Sequence, residues 1–142
     1  MKQVVKRAVL GSLLMLGALG MSPAAMAVEK EKVVIQVSQD DAAVWNLALN
    51  NAKNMQKDIG ADKVDIEVVA FGPGLEMLRV ESEVANRIGE MVDSGVKVVA
   101  CQNTMRNRKV EPADLNPKAG FVPSGVVEIM RRQQQGYAYL RP

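Results

Sequence analysis

Short runs of β-branched residues alternate with amphipathic segments along this sequence, and this alternation constrains the fold more than any other feature. The runs at residues 32–38, 64–70 and 96–101 are rich in Val and Ile and have the length of buried strands. Shorter strands are predicted at 121–122 and 137–140, with helical segments between the runs. The alternation predicts an α/β fold with a mostly parallel sheet of about five strands and helices on both faces.

The first predicted helix follows the first strand directly. Asp40 and Asp41 offer carboxylates that can cap its start, and Gly60 suits its end. The second strand then begins with strict alternation, in which Asp65 and Glu67 are the polar members. This pattern indicates that one face of the strand is partly exposed to water at its start.

Apolar residues at helical spacing place two further long helices. The segment 71–74 breaks the chain before one of them, which ends at Gly95. Its apolar positions are Val80, Val84, Ile88 and Met91. A short polar helix is predicted over 102–109, and the last long helix opens at 123–124 and ends at Gly136. The inner face predicted for this last helix consists of Val126, Ile129, Met130 and Gln133.

Residues 1–27 have the pattern of a cleaved secretory signal. Lys2, Lys6 and Arg7 precede an apolar stretch at 8–19, and residues 25–27 supply the small-x-small pattern that signal peptidase reads. The apolar stretch is too short for a membrane span, which needs about 20 residues. We therefore expect an exported, periplasmic protein without a membrane span after cleavage, consisting of one domain at residues 28–142.

Charge and composition exclude several classes of function. The chain has 18 Lys and Arg against 16 Asp and Glu, and the three basic residues of the leader account for the excess. A nearly neutral domain lacks the clustered positive charge that nucleic acid requires. The absence of His excludes Ser-His-Asp and Cys-His catalysis. Cys101 and Met105 alone would make a poor Cu(I) site, so neither a metal nor a cofactor is predicted.

Cys101, the single cysteine, lies where the third strand gives way to a helix. Unpaired N–H groups and the positive end of a helix dipole favour a thiolate at such a position, and the thiolate is the nucleophilic form. The alternative is an inert cysteine, because free cysteines are among the most buried residues. No second cysteine can resolve an oxidised Cys101 within the chain, so an exchange cycle would need a partner protein or a small thiol.

Other candidate residues lie in loops that follow the strands, which in an open α/β sheet meet at one edge. Gly72 and Gly74 flank Pro73 after the second strand, and Ser124 precedes the last helix. The Gly-Pro-Gly turn could expose N–H groups to an anion, or it could be only a tight turn between a strand and a helix.

Five separated motifs together resemble the DsrE/DsrF-like family, and more narrowly its small single-domain members related to the YchN and Tus sulfur-relay proteins. The motifs are Trp45–Ala52, Phe71–Leu75, Cys101–Met105, Pro123–Val127 and Gln134–Pro142, so the resemblance covers essentially residues 32–142. The resemblance implies a parallel α/β fold and homo-oligomers such as trimers or hexamers. In the sulfur-relay branches it also implies a cysteine that carries sulfane sulfur as a persulfide. Cys101 matches that cysteine, and Asn103, Thr104 and Met105 match the residues after it.

Two functional hypotheses follow. In the first, the protein is a periplasmic sulfur carrier in which Cys101 holds a persulfide, with Asn103, Thr104 and the loops at Gly72, Gly74 and Ser124 positioning the incoming group. Its partners would be a sulfur donor or acceptor protein, or a small thiol. In the second, the protein is a non-catalytic homo-oligomer that binds a small ligand or a protein, and Cys101 is structural.

Overall fold

The computed structural model of this chain describes residues 29–142. The signal peptide predicted at residues 1–27 lies outside this range. The described elements are β1 (Glu31–Val37), α1 (Ala42–Ile59), β2 (Val64–Ala70), α2 (Ala85–Asp93), β3 (Lys97–Cys101), α3 (Gln102–Arg108), β4 (Gly120–Val122), α4 (Gly125–Gln134) and β5 (Ala138–Leu140). The five strands form one sheet in the order β4-β3-β2-β1-β5, and every pairing is parallel. The predicted α/β fold is confirmed.

The strand order explains why helices cover both faces. The chain moves steadily from β1 to β4 and then returns across the sheet to β5, beside β1. Because crossovers between parallel strands are right-handed, a crossover in the opposite direction must pass over the opposite face. The helices α1, α2 and α3 therefore cover one face, called the first face, and α4 alone covers the second face.

The first face holds most of the hydrophobic core. It is formed by side chains of the strands, the three helices and the chain between them, and most are fully buried. Its fully buried members include Ile35, Leu49, Val68, Leu75, Met77 and Ile88. Asp41 begins α1 as predicted, because its carboxylate accepts a hydrogen bond from the N–H of Ala43 at 2.8 Å.

The second face has a much smaller apolar cluster. Val34, Val69, Ile129 and Tyr137 form it, with Phe71 and Val99 packed against it. Because side chains alternate along a strand, Glu67 and Cys101 project to this same face as Val69 and Val99. The polar and reactive side chains of the sheet interior therefore gather under α4.

The segment between β2 and α2 differs from the prediction. Residues Gly72–Leu78 form a 3-10 helix rather than a break, and α2 begins only at Ala85. The N–H of Val80 donates to the carbonyl of Asp114 at 3.0 Å, so this residue lies outside the helix, and its side chain is half-exposed. Leu75, Met77 and Leu78 fill the core instead, and the expectation that Val80 belongs to the apolar stripe was wrong.

Of the four residues predicted for the inner face of α4, only Ile129 is buried. Val126, Met130 and Gln133 are exposed, and Gly125 is the other buried residue of this helix. The remaining inward positions belong to a Glu and an Arg, which pair with a buried charge on β2. A search for apolar residues cannot identify a helix face on which charged side chains are directed inward.

No helix within residues 29–142 is both long enough and apolar enough to cross a membrane.

Candidate functional site

Cys101 lies at the point where the chain switches from one face of the sheet to the other. Neighbouring strands β3 and β4 are followed by helices on opposite faces, α3 on the first and α4 on the second. In open α/β sheets, the loops that diverge at such a point leave a crevice in which ligands bind. Cys101 ends β3, and its register partner on β4 is Val122. The thiol therefore lies at the position where this fold class places its sites.

The sulfur of Cys101 accepts a hydrogen bond from the first residue of α4. The N–H of Gly125 donates to Sγ at 3.2 Å. Cys101 also precedes the first residue of α3, with extended backbone angles of φ −76° and ψ 113°. Its side chain is only 4% exposed. The sulfur is thus enclosed between the starts of two helices, whose unpaired N–H groups and dipoles favour negative charge.

Hydrogen bonds tie the surrounding loops together. The Thr104 hydroxyl accepts from the N–H of Gly72 at 2.9 Å, which links the turn after β2 to the first turn of α3. The N–H of Asn103 donates to the carbonyl of Pro123 at 3.2 Å, which links α3 to the loop after β4. The loops that follow three adjacent strands are therefore fixed around Cys101.

Two opposing effects act on the pKa of the Cys101 thiol. Burial raises this pKa, because it disfavours the charged thiolate. Hydrogen bonds from the Thr104 side chain and from the N–H groups of Gly125, Thr104 and Asn103 lower it. The donors together outweigh burial, so the pKa of Cys101 lies below its ordinary value. The site stabilises a sulfur anion.

Residue 125 must be glycine for this geometry to exist. A Cβ at this position would lie 2.9 Å from Cβ of Phe71 and 3.1 Å from its ring. Such contacts are closer than van der Waals packing allows, so the helix start or the ring would have to move. The absence of a side chain therefore lets α4 approach Cys101.

The other residues predicted for the site differ in their contacts and in their exposure. Thr104 and Gly72 are joined by the bond described above, and Gly72 has a left-handed φ of 54°. The side chain of Asn103 is exposed and its Oδ1 accepts from Arg106. Ser124 precedes α4 and uses its carbonyl, not its hydroxyl, to accept from the helix. Their roles in binding stay predictions.

Gly74 packs closely against the end of β1. A Cβ there would collide with the carbonyl of Val37 at the end of β1.

Met105 packs into the core of the first face, whereas the Cys101 side chain projects to the second. The two sulfur atoms therefore do not share a face. Within residues 29–142, no group of three or more His, Cys, Asp or Glu side chains is arranged to hold a metal ion.

Sequence reasoning missed Gly125 as the donor to Cys101, and it missed Phe71 as the residue packed against that glycine. The Ser-Gly pair at the start of a predicted helix was a usable signal, because glycine there permits close approach of a backbone N–H. The sequence also gave no indication that Glu67 is buried, because the alternating pattern of β2 assigned this residue to a face exposed to water.

Comparisons with known proteins agree with this fold. The model of the DsrE/DsrF-like family matches residues 31–142. The solved structure of MTH1491 from Methanobacterium thermoautotrophicum, a protein of unknown function, is 37% identical with a TM-score of 0.76, covering 80% of this chain and 100% of that one. BT1422 from Bacteroides thetaiotaomicron, a conserved protein of unknown function, is 19% identical with a TM-score of 0.65, covering 79% and 95%.

The ychN protein from E. coli shares the fold at 12% identity, with a TM-score of 0.62 over 80% of this chain and 99% of that one. No curated protein sequence matches this chain.

Proposed function

This chain belongs to the DsrE/DsrF-like family, and from that membership we propose that it carries sulfane sulfur as a persulfide on Cys101. One observation carries the proposal: the Gly125 N–H donates to Sγ at 3.2 Å, at the crevice between β3 and β4. The resemblance to the sulfur-relay branches of the family supports it, because those members carry sulfur on the cysteine that Cys101 matches.

The chemistry requires no external oxidant. The Cys101 thiolate attacks the outer sulfur of a donor persulfide or polysulfide, and a new S–S bond forms as the donor S–S bond breaks. The donor sulfur leaves as a thiolate with the electron pair. Transfer onward is the same exchange, with an acceptor thiolate as the attacking group. The outer sulfur on Cys101 carries negative charge, which the N–H groups at the starts of α3 and α4 stabilise.

Export and assembly belong to the same proposal. The pattern of residues 1–27 supports cleavage of a signal and a periplasmic location. The family resemblance supports a homo-oligomer, a trimer or a hexamer. The sulfur partner is a donor or acceptor protein or a small thiol, because the described chain has one cysteine and it has no disulfide partner.

Native mass spectrometry of the full chain expressed in a bacterium, before and after incubation with polysulfide, tests these points together. We expect a mass increase of one sulfur atom on the wild-type protein, and none on the Cys101→Ser variant. Absence of added sulfur on the wild type, or equal addition to the variant, would contradict the carrier function. The same spectra report whether residues 1–27 are removed and how many subunits assemble, and a clean monomer would contradict the oligomer.

The burial of the thiol favours a second candidate, the non-catalytic binding module with a structural cysteine. At 4% exposure, Cys101 is as inaccessible as a core residue. This candidate expects that iodoacetamide labels Cys101 only after denaturation and that Cys101→Ser lowers stability. Rapid labelling of the native protein would count against it and in favour of the carrier.

A further inference from the structure

Glu67 is the only charged residue among the fully buried residues of the described chain, and the sulfur chemistry makes no use of it. It lies in the middle of β2 and is 1% exposed. Burying a carboxylate removes its hydration, and only close pairing compensates for that loss. Replacing such a group with an apolar residue often leaves a protein equally stable, so stability alone does not explain its presence.

The partners of Glu67 lie on α4. Oε2 of Glu67 is 2.7 Å from Nη2 of Arg132, and Nε of Arg132 is 2.8 Å from Oε1 of Glu128, one turn earlier on the same helix. The Arg132 guanidinium also lies 5.3 Å from the centre of the Tyr137 ring. The second half of α4 is thereby joined to β2 and to the residue that leads into β5.

The Arg132–Glu67 ion pair joins the second half of α4 to the sheet. The buried residues of this helix are Gly125, which has no side chain, and Ile129. One apolar side chain fixes neither the rotation of a helix about its axis nor its position along that axis. The Arg132–Glu67 pair supplies the second fixed point.

The first and last contacts of α4 are mechanically linked. Gly125 and Arg132 are separated by about two helical turns, so they lie on the same side of the helix. A helix of this length moves as a rigid unit. A rotation or slide at Arg132 therefore displaces the N–H of Gly125 from Sγ of Cys101, which it now contacts at 3.2 Å.

We propose that Glu67 is a positioning residue for Cys101: by holding Arg132 it fixes α4, and α4 keeps the Gly125 N–H against the sulfur. The inference rests on the proposed function, because it gives the anion-stabilising contact of the carrier site a structural support on β2.

The direction in which the Cys101 pKa changes in a Glu67 variant distinguishes a positioning role from a through-space effect of the charge. Glu67→Gln removes a negative charge on the face to which the thiol projects, and through space this change alone would lower the pKa of Cys101. Loss of the Gly125 hydrogen bond would raise the pKa instead. A hydrogen bond to a charged group is strong enough to shift the pKa by roughly one unit, or about tenfold in the thiolate fraction.

The experiment titrates the thiolate by its ultraviolet absorbance in the full chain. Each protein is compared with the same protein carrying Cys101→Ser, which removes the contribution of the tyrosines. The matched control is Asp65→Asn, because Asp65 lies on the same strand and face but is only partly buried, and it pairs with Lys30 at 3.4 Å. We expect the pKa of Cys101 to rise in Glu67→Gln and to stay unchanged in Asp65→Asn.

An unchanged or lowered pKa in Glu67→Gln would overturn the positioning role, as would an equal rise in Asp65→Asn. If Glu67→Gln does not fold by circular dichroism, Arg132→Lys decides by the same criterion, since it keeps the charge and loses the planar fork. Sulfur loading is measured separately on the wild type. A failed carrier function therefore leaves wild-type Cys101 without sulfur, whereas a failed positioning role leaves loading intact and the variant pKa unmoved.

Discussion

The two faces of the sheet bury their side chains in different ways. The first face is covered by three helices and is almost entirely apolar, with Ile35, Leu49 and Ile88 fully buried. The second is covered by α4 alone and contains Glu67 and Cys101 among a few apolar residues. Non-directional burial stabilises the first face, whereas the second depends on specific hydrogen bonds and an ion pair.

This difference indicates a division of roles. Apolar packing tolerates small shifts, because its free energy scales with buried area. A hydrogen bond to sulfur and a buried ion pair depend steeply on distance and angle. We therefore expect changes on the first face to alter stability without altering the thiol, and changes on the second face to alter the thiol.

The largest effect on stability is expected from Leu49→Ala on the first face. The side chain is fully buried in α1, so its truncation removes apolar contacts and leaves a cavity. The free energy of unfolding should fall by about 3 kcal/mol, measured by urea denaturation. The pKa of Cys101 should not change. A shifted thiol pKa in this variant would mean that the two faces are coupled.

The next effect is expected from Gly125→Ala on the second face. The added Cβ would meet Cβ of Phe71 at 2.9 Å, so the start of α4 or the Phe71 side chain must move. We expect α4 to move and its first N–H to shift away from the sulfur. We expect a loss of about 1–3 kcal/mol in stability. The pKa of Cys101 should rise by roughly one unit, because a donor to the thiolate is lost.

Gly89→Ala in α2 is the matched control for that variant. A Cβ there has no neighbour closer than 3.8 Å, at Lys118, so the substitution meets only ordinary contacts. Alanine is a better helix former than glycine, and stability should rise by up to about 1 kcal/mol with the thiol pKa unchanged. An equal shift of the Cys101 pKa in Gly89→Ala would mean that the shift in Gly125→Ala does not come from the close approach at Gly125.

The smallest effects are expected in the pH dependence of stability, where the two titratable side chains of the second face act in opposite directions. Burial raises the pKa of Glu67, and the neighbouring Glu128 raises it further, although Arg132 opposes them. At a pH between the pKa of this carboxyl in the unfolded chain and its higher pKa in the folded protein, Glu67 is protonated only in the folded state. Stability therefore falls as the pH rises through this window, by at most about 1.4 kcal/mol per pH unit.

The contribution of Cys101 to the pH dependence of stability has the opposite sign. Its pKa is lower in the folded state, so between the folded value and the ordinary thiol value only the unfolded state holds the proton, and stability rises with pH. Denaturation at a series of pH values should show the acidic slope vanish in Glu67→Gln and the alkaline slope vanish in Cys101→Ser. Persistence of either slope in its variant would assign it to other groups.

Local patterns predicted most elements of the first face, but they missed the 3-10 helix Gly72–Leu78 and the late start of α2. The β-branched runs located β1, β2 and β3, and Asp41 marked the start of α1. These features depend on neighbours in sequence, which periodicity and capping report directly. The position of Cys101 between a strand and a helix was predicted for the same reason.

The second face could not be predicted in this way. The burial of Glu67 depends on α4, which reaches β2 only because the chain recrosses the sheet after β4. The contact between Gly125 and Cys101 likewise joins distant segments. Val126 and Met130 were assigned inward because apolar residues usually face a core, whereas here Glu128 and Arg132 take those positions.

The position of Gly125 has a consequence for synthesis of the chain. A ribosome makes Cys101 before the helix that encloses it, and β5, which closes the sheet beside β1, is made last. Until α4 docks, the thiol lacks the cover of that helix and the hydrogen bond from the Gly125 N–H. A chain that ends before α4 therefore holds a more accessible thiol with one hydrogen-bond donor fewer, and the complete site exists only once α4 has docked.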